Sequence, residues 1–408
     1  MNCRHCRAEL TLPFIDLGTA PPSNAYLSRA QLATPERYYP LRVFACTACW
    51  LVQTEDFADR SELFSGDYAY FSSYSTSWLA HAEAFVDQAV SRFALDSTSL
   101  VVEVASNDGY LLQYVKRKGI PCLGIEPTAG TAQAARDKGI DTREAFFGVE
   151  LAEALAGDGC TADLMIANNV LAHVPDINDF VAGFARLLKP QGVASFEFPH
   201  LLRLVADCQF DTIYHEHYSY LSLTAVCTIF QRCGLAVFDL EELPTHGGSL
   251  RVYAQRADAG GREPSPAVTE LLARERAAGL ASPALAEGFQ QRADRIKDEL
   301  LAFLIEQKRA GRTVAGYGAA AKGNTLLNYG GVRSDLLGFV ADASPHKQGL
   351  YLPGSRIPVM NETTLGDAKP AFVLVLPWNL RDEIMRQLSY ISAWGGQFVT
   401  AVPKLRLS

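Results

Sequence analysis

Val101-Val102-Glu103-Val104-Ala105-Ser106-Asn107-Asp108-Gly109-Tyr110-Leu111-Leu112 runs from an apolar strand through a turn of small residues into a helix. Such a unit opens a parallel α/β sheet, and ligands of open parallel sheets sit outside the carboxyl ends of the strands. Outward from it, Tyr110 to Lys118 reads as a helix and Pro121 to Glu126 as the next strand. Ala129 to Lys138 then reads as a helix, Ala162 to Ala167 as a strand, Asn178 to Leu188 as a helix and Gly192 to Phe198 as a strand. This alternation means crossover helices on a parallel sheet. On the amino-terminal side, Trp78, Ala82, Phe85, Ala89 and Phe93 recur at helical spacing and predict an amphipathic helix over Ser77 to Phe93.

The chain of 408 residues exceeds what one hydrophobic core organises. Pattern divides it at 1–75, 76–256, 257–308 and 309–408. Met1 to about Ser75 is rich in Cys, Pro and aromatic residues, looks too irregular to carry a large core, and needs a staple. Ala257 to Pro266 is expected to be a linker, followed by a polar helical region to about Lys308. Beyond it, Thr313 to Gly318 is strand into glycine turn, and Leu336 to Val340 and Ala371 to Leu376 are strands, giving a second, smaller Rossmann-like sheet.

Composition is that of a folded protein, 48% apolar and 20% charged. A net charge of -8 without a Lys/Arg run argues against nucleic acid as a partner. No apolar stretch follows Met1 to Cys6, and the run Ala371 to Leu376 is far too short for a bilayer, so a cytoplasmic protein without a membrane partner is expected. The separate domains are compatible with a monomer.

Four of the nine cysteines form two pairs, Cys3-x-x-Cys6 and Cys46-x-x-Cys49. In a reducing compartment this spacing favours thiolate ligands, and four thiolates close a tetrahedral zinc site whose role is folding. His5 is expected to be exposed.

The turn after the first strand lacks GxGxxG, because Ala105 and Asn107 stand where glycines would admit a pyrophosphate. A compact sulfonium cofactor fits better, with Glu103 or Asp108 for its ammonium and Glu126, at the second strand end, for both ribose hydroxyls. Phe146 and Phe147 are placed to flank the adenine. The cofactor set is then Glu103, Ala105, Asn107, Asp108, Gly109, Glu126, Phe147 and Asn168.

Asp211-Thr212-Ile213-Tyr214-His215-Glu216-His217-Tyr218 concentrates titratable groups just beyond the strand Gly192 to Phe198. If extended, His215 and His217 would share one face and Tyr214 and Glu216 the other. The pattern is not HExxH, since position 219 is Ser. Carbon methylation beside a ketone needs a base and a holder of enolate charge. A neutral His is matched to the first task, and tyrosine or a second His to the second. His217 is the expected base, and His173 follows another strand end.

With these residues in hand, the chain resembles the sugar C-methyltransferases acting on thymidine-diphosphate keto-sugars. The likeness rests on the paired CxxC motifs, Phe14 to Gly18, Val102 to Gly109, Tyr214 to His217, His246-Gly247-Gly248-Ser249-Leu250-Arg251 and Gly316 to Gly323. It implies a zinc-binding domain, a central S-adenosylmethionine-dependent Rossmann-like domain and a carboxyl-terminal Rossmann-like domain that helps hold the nucleotide. It also implies proton removal at sugar carbon three by His217, assisted by Tyr214, Glu216 and Tyr68. The glycine turn can present N–H groups to phosphates beside Lys322, and Trp378 and Asn379 are positioned for a nucleobase. Ser249, Arg251 and Asn324 complete the expected substrate contacts. The competing readings are a nicotinamide-dependent nucleotide-sugar oxidoreductase or epimerase, and a non-catalytic nucleotide-sugar scaffold.

Overall fold

The computed structural model describes residues 1–57 and 71–408. Its largest sheet contains the strands β4 (Val101–Val104), β5 (Cys122–Ile125), β6 (Thr142–Arg143), β7 (Ala162–Asn168), β8 (Leu188–Pro199), β10 (Leu235–Leu243) and β11 (Ser249–Arg256). They lie in the order β10-β11-β8-β7-β4-β5-β6. Pairing is parallel from β6 to β8, and β11 and β10 add antiparallel. The order in which strands are added reverses between β4 and β7, which makes the crevice at their carboxyl ends the binding position.

Apolar side chains cover both sheet faces, as crossover helices require. The helix Ile177–Leu187 lays Phe180, Val181, Phe184 and Leu187 on one, and Thr76–Arg92 lays Ala82, Phe85, Val86 and Ala89 on the other. Ser75 begins the latter helix by accepting the Trp78 N–H at 3.2 Å.

A second sheet holds β1 (Leu12–Ala20), β2 (Tyr39–Ala45) and β3 (Val52–Thr54), and it is completed by β9 (Ser219–Tyr220). That fourth strand comes from the central segment, immediately after His217. The third sheet has the order β14-β13-β12-β15-β16-β17, from Val359–Met360, Val340–Ala341, Val314–Tyr317, Phe372–Val375, Gln397–Thr400 and Arg406–Leu407. Only β17 in it runs antiparallel. The strand expected over Leu336 to Val340 begins at Val340 instead, because Leu336 and Leu337 are held in a turn by the Arg333 carbonyl.

Ala257 to Pro266 is no free linker. Gln255 holds Arg262 through both its amide nitrogen and its oxygen, and the Ser265 N–H is fixed to the Phe238 carbonyl. The polar region beyond is two helices, Pro266–Ala277 and Phe289–Arg309. The second packs Phe289 against Phe14 of β1, ring centroids 4.5 Å apart, so one core runs between the second and third sheets. No helix among the described residues is long and apolar enough to cross a membrane.

Candidate active site and metal centre

The two cysteine pairs form equivalent hooks. In each, the residue after the second cysteine has a left-handed backbone, Arg7 at φ 66° and Trp50 at φ 59°. Its N–H returns to the carbonyl of the first cysteine, at 3.0 Å for Arg7 and 2.8 Å for Trp50. The hooks bring all four sulfurs within 4.8 Å of one another, with Cys3–Cys49 at 3.6 Å and Cys6–Cys46 at 3.5 Å. Zinc–sulfur bonds of about 2.3 Å require sulfurs about 3.8 Å apart, so this donor set fits a tetrahedral zinc ion. Contact with Cys3 and then burial push the Cys49 thiol up, and burial pushes Cys46 up; a cation is what lets such a cluster hold negative charge. His5 is not exposed as expected. It is 1% accessible, because its Nδ1 meets Asn178 Oδ1 at 2.6 Å and ties the first hook to the large sheet's helix.

At the end of β4 the turn is left-handed at Ala105 (φ 57°), Asn107 (φ 49°) and Gly109 (φ 75°). Gly109 adopts this conformation without strain, and a Cβ there would lie 2.3 Å from Ile140 Cδ1, so that side chain would have to move. Glu126, at the end of β5, accepts the Asn107 N–H at 3.0 Å and the Thr128 N–H at 2.9 Å, which draws the two strand ends together. Burial raises its carboxyl above the usual range.

Behind the turn lie buried polar atoms with no hydrogen bond of ordinary geometry. They are both oxygens of Glu103, both amide atoms of Asn168, Ser106 Oγ and Asp108 Oδ1. The Tyr110 hydroxyl neighbours Glu103 and Asn168, and burial holds the Glu103 carboxyl well above its ordinary value. Unsatisfied acceptors in a crevice are what a cofactor with an ammonium and hydroxyls would fill. Asp108 Oδ2 is paired instead with Lys138 at 3.1 Å. Phe147 lies apart from this set; its ring packs on Phe180 and Phe184, and Phe146 is exposed.

The histidine-rich segment is a turn rather than an extended strand, because the His217 N–H closes on the Tyr214 carbonyl at 2.9 Å. Tyr214 and His217 are thereby brought to the same side, not opposite faces, with rings stacked at 3.9 Å. His217 Nδ1 lies 2.8 Å from the Thr212 carbonyl. A carbonyl only accepts, so Nδ1 carries the proton and Nε2 presents its lone pair, at 2.8 Å from the Tyr214 hydroxyl. Burial first, then His173, hold the His217 imidazole well below its ordinary pKa, and it is neutral at pH 7.

His173 is pushed down to about 4 by burial; its Nδ1 donates to the Glu216 carbonyl at 2.8 Å, and its ring centroid is 4.6 Å from that of His217. The Glu216 carboxylate faces the amino-terminal segment, accepting from the Asn24 backbone and amide nitrogens at 3.2 Å each. His215 faces the Pro40 carbonyl at 3.2 Å. Tyr68 lies outside the described residues.

The third sheet closes the cleft. Lys322 Nζ donates to Asn379 Oδ1 at 2.7 Å and lies 4.7 Å above the Trp378 ring. Trp378 Nε1 donates to Asp211 Oδ2 at 2.7 Å, across to the central segment. Burial raises Asp211 to about 6 against the opposing pull of Lys322. The glycine turn is not the phosphate cradle expected. The Gly318 N–H goes to the Ala341 carbonyl, and the Ala319 N–H to Asp342 Oδ2 at 2.6 Å, so those donors are bound into their own sheet.

Asn324 donates to the Ser23 carbonyl at 2.7 Å. Arg251 is 2% accessible and paired with Glu197 at 2.5 Å, and Ser249 Oγ donates to the Thr245 carbonyl at 3.0 Å. Both thus brace the strand ends behind the cleft. Asp211 and His246 are site groups that residue spacing did not single out, although both lie in stretches dense with polar residues. His246 has a left-handed backbone (φ 54°), and burial pushes its imidazole down to about 4.

Gly247 (φ 88°) explains the glycine pair that follows: a Cβ would lie 2.5 Å from Trp378 Cη2. Gly247→Ala is expected to lower stability by about 1–3 kcal/mol, from backbone strain alone. The readout is the unfolding midpoint, and an unchanged midpoint would contradict this packing.

Three family models match the chain: a zinc binding domain over residues 3–64, a methyltransferase domain over 78–240, and a C-methyltransferase C-terminal domain over 244–403. The C-methyltransferase NovU of Streptomyces niveus is 36% identical over 406 residues, covering 100% of this chain and 96% of the relative. A ubiquinone biosynthesis O-methyltransferase of Bartonella quintana is 30% identical over 99 residues, 23% of this chain and 38% of that one. Among solved structures, the PH0226 protein of Pyrococcus horikoshii aligns with a TM-score of 0.39 at 14% identity, covering 49% of this chain and 99% of its own. Magnesium protoporphyrin IX methyltransferase of Synechocystis, solved with S-adenosylmethionine, aligns with a TM-score of 0.33 at 16% identity over 44% of this chain and 81% of its own.

Proposed function

The chain belongs to the S-adenosylmethionine-dependent C-methyltransferases that carry a zinc-binding domain, and from that premise we propose that it methylates a nucleotide-linked 4-keto sugar at carbon three. The observation that carries the reading is the Thr212–His217–Tyr214 arrangement. It fixes a neutral imidazole with its Nε2 lone pair turned to the Tyr214 hydroxyl.

S-adenosylmethionine bound in the crevice supplies an electrophilic methyl group on its sulfonium. Glu103, Asn168 and the Ala105–Gly109 turn are the residues to hold its amino-acid end and Glu126 its ribose hydroxyls. His217 Nε2 takes the proton from carbon three, which the neighbouring ketone at carbon four acidifies. Tyr214 supplies a hydrogen bond to the enolate oxygen and His173, through its Nδ1 bond to the Glu216 carbonyl, steadies the His217 loop, with Glu216 and Tyr68 positioning the sugar. Lys322 and Asn379 lie toward the diphosphate and Trp378 beside the base, a thymidine nucleotide. Asn324, Ser249 and Arg251 hold this side of the cleft in place. The proposed parts are 1–75, 76–256, 257–308 and 309–408, with the substrate between the second and fourth.

A keto-sugar carrying deuterium at carbon three should lose it to solvent as the methyl group is added. Methylated product that retains the label would contradict the enolate route.

The acidity of the site gives a second expectation. An ordinary imidazole protonates near 6.5 and would lose its base function there. With its pKa depressed, His217 stays unprotonated, so kcat/KM should be level from pH 8 to about 6, the acid limb falling lower. An inflection at 6.5 would contradict it. Stability follows the same sign. His173 falls from 6.5 to about 4 on folding, so its share is complete above 6.5 and is lost as pH drops toward 4, where the unfolded chain binds the proton first.

A further inference from the structure

Arg4 lies inside the first cysteine pair, yet its guanidinium is buried and turned away from the sulfurs. Nη1 donates to the Pro175 carbonyl at 3.0 Å, two residues beyond His173. Nη2 donates to the Thr54 carbonyl at 3.0 Å and pairs with Asp56 at 2.8 Å. Its carbon lies 5.2 Å over the ring of Tyr218, the neighbour of His217. Thr54 in turn donates through Oγ1 to the His217 carbonyl at 3.2 Å and through its N–H to the Tyr218 carbonyl at 3.2 Å.

The two loops also meet directly. The Tyr218 N–H donates to the Ala172 carbonyl at 2.8 Å, and His173 Nδ1 to the Glu216 carbonyl at 2.8 Å. One planar fork therefore grips the outer side of both histidine-bearing loops at once. Its own backbone is fixed to the cysteine cluster: the Arg4 N–H donates to Gln53 Oε1 at 2.9 Å, and Gln53 Nε2 to Cys3 Sγ at 3.2 Å.

We propose that Arg4 is a positioning residue that transmits the rigidity of the cysteine cluster to the active site, holding the His173 and His217 loops in register for proton removal. The inference rests on the reading of those histidines as the reacting and supporting groups. A lysine has one point of charge where arginine has a forked set of donors, and it cannot serve Pro175, Thr54 and Asp56 together. A displacement of about 1 Å at a reacting group can cost about 100-fold in rate.

The experiment compares the full chain with Arg4→Lys, measuring bound zinc, kcat, the KM for S-adenosylmethionine and the imidazole titrations by NMR without substrate. Expected are full zinc content, an unchanged KM and a kcat lower by about 10- to 100-fold. The His173 titration should also move up from about 4 as the loops loosen. Wild-type kcat and wild-type titrations in zinc-loaded Arg4→Lys would overturn the proposal. If that variant loses zinc, Asp56→Asn loosens the same guanidinium from outside the cysteine pair. A lower kcat and shifted titrations with zinc retained would uphold the role, and wild-type values would overturn it. The titrations need no substrate, so failure of the wild-type protein on every keto-sugar would sink the functional reading and leave the Arg4 result standing.

Discussion

His217→Ala keeps S-adenosylmethionine binding and loses about 100- to 10,000-fold in methyl-transfer rate, the span that a positioned general base contributes. The expectation follows from its ring geometry. Nδ1 is committed to the Thr212 carbonyl and Nε2 is the basic atom, so removing the imidazole removes the proton acceptor and the partner of Tyr214 together. The cofactor crevice is built from Glu103, the Ala105–Gly109 turn and Glu126, on β4 and β5, and none of its hydrogen bonds passes through His217. Cofactor affinity should therefore match that of the wild-type protein in calorimetry, while turnover collapses. A variant that turns over normally would remove the imidazole from the chemistry.

The second large effect concerns folding. Cys46→Ser should lose zinc and soluble protein together, because metal binding at a structural four-thiolate site is itself folding free energy, about 10–16 kcal/mol in zinc-finger peptides near pH 7. Within the second sheet, the strand β3 that carries β9 is only three residues long. Its edge partner β9 follows His217 directly, so loosening the cluster also loosens the base. Metal analysis and an unfolding curve on the same sample check this. A zinc-free Cys46→Ser protein that is stable and active would contradict it.

In the large sheet β4, β5, β7 and β8 were legible because each is a short apolar run in alternation with helices of the right period, whereas β6, Thr142–Arg143, has no apolar pattern and was not. The four zinc ligands were legible from spacing alone. What escaped was long-range. β9 is two residues, Ser219 and Tyr220, with no pattern of its own, and it exists only because β3 offers it an edge. His5 is buried because Asn178, far along the chain, meets its ring, and no local signal announces that. The facing of Tyr214 and His217 depended on a turn where an extended segment was assumed, and one backbone hydrogen bond reverses the outcome. Lys322, Trp378 and Asn379 were recognisable as polar and aromatic groups at loop positions, but their junction with Asp211 arises only when the third sheet docks on the central segment.

The most direct test of carbon methylation of a nucleotide-linked keto-sugar is mass spectrometry of the purified protein incubated with S-adenosylmethionine and a panel of nucleotide-linked 4-keto sugars. The account predicts a product heavier by one methyl group, with the new carbon bonded at carbon three. No gain in mass from any sugar of the panel, or a methyl group found on oxygen, would contradict it.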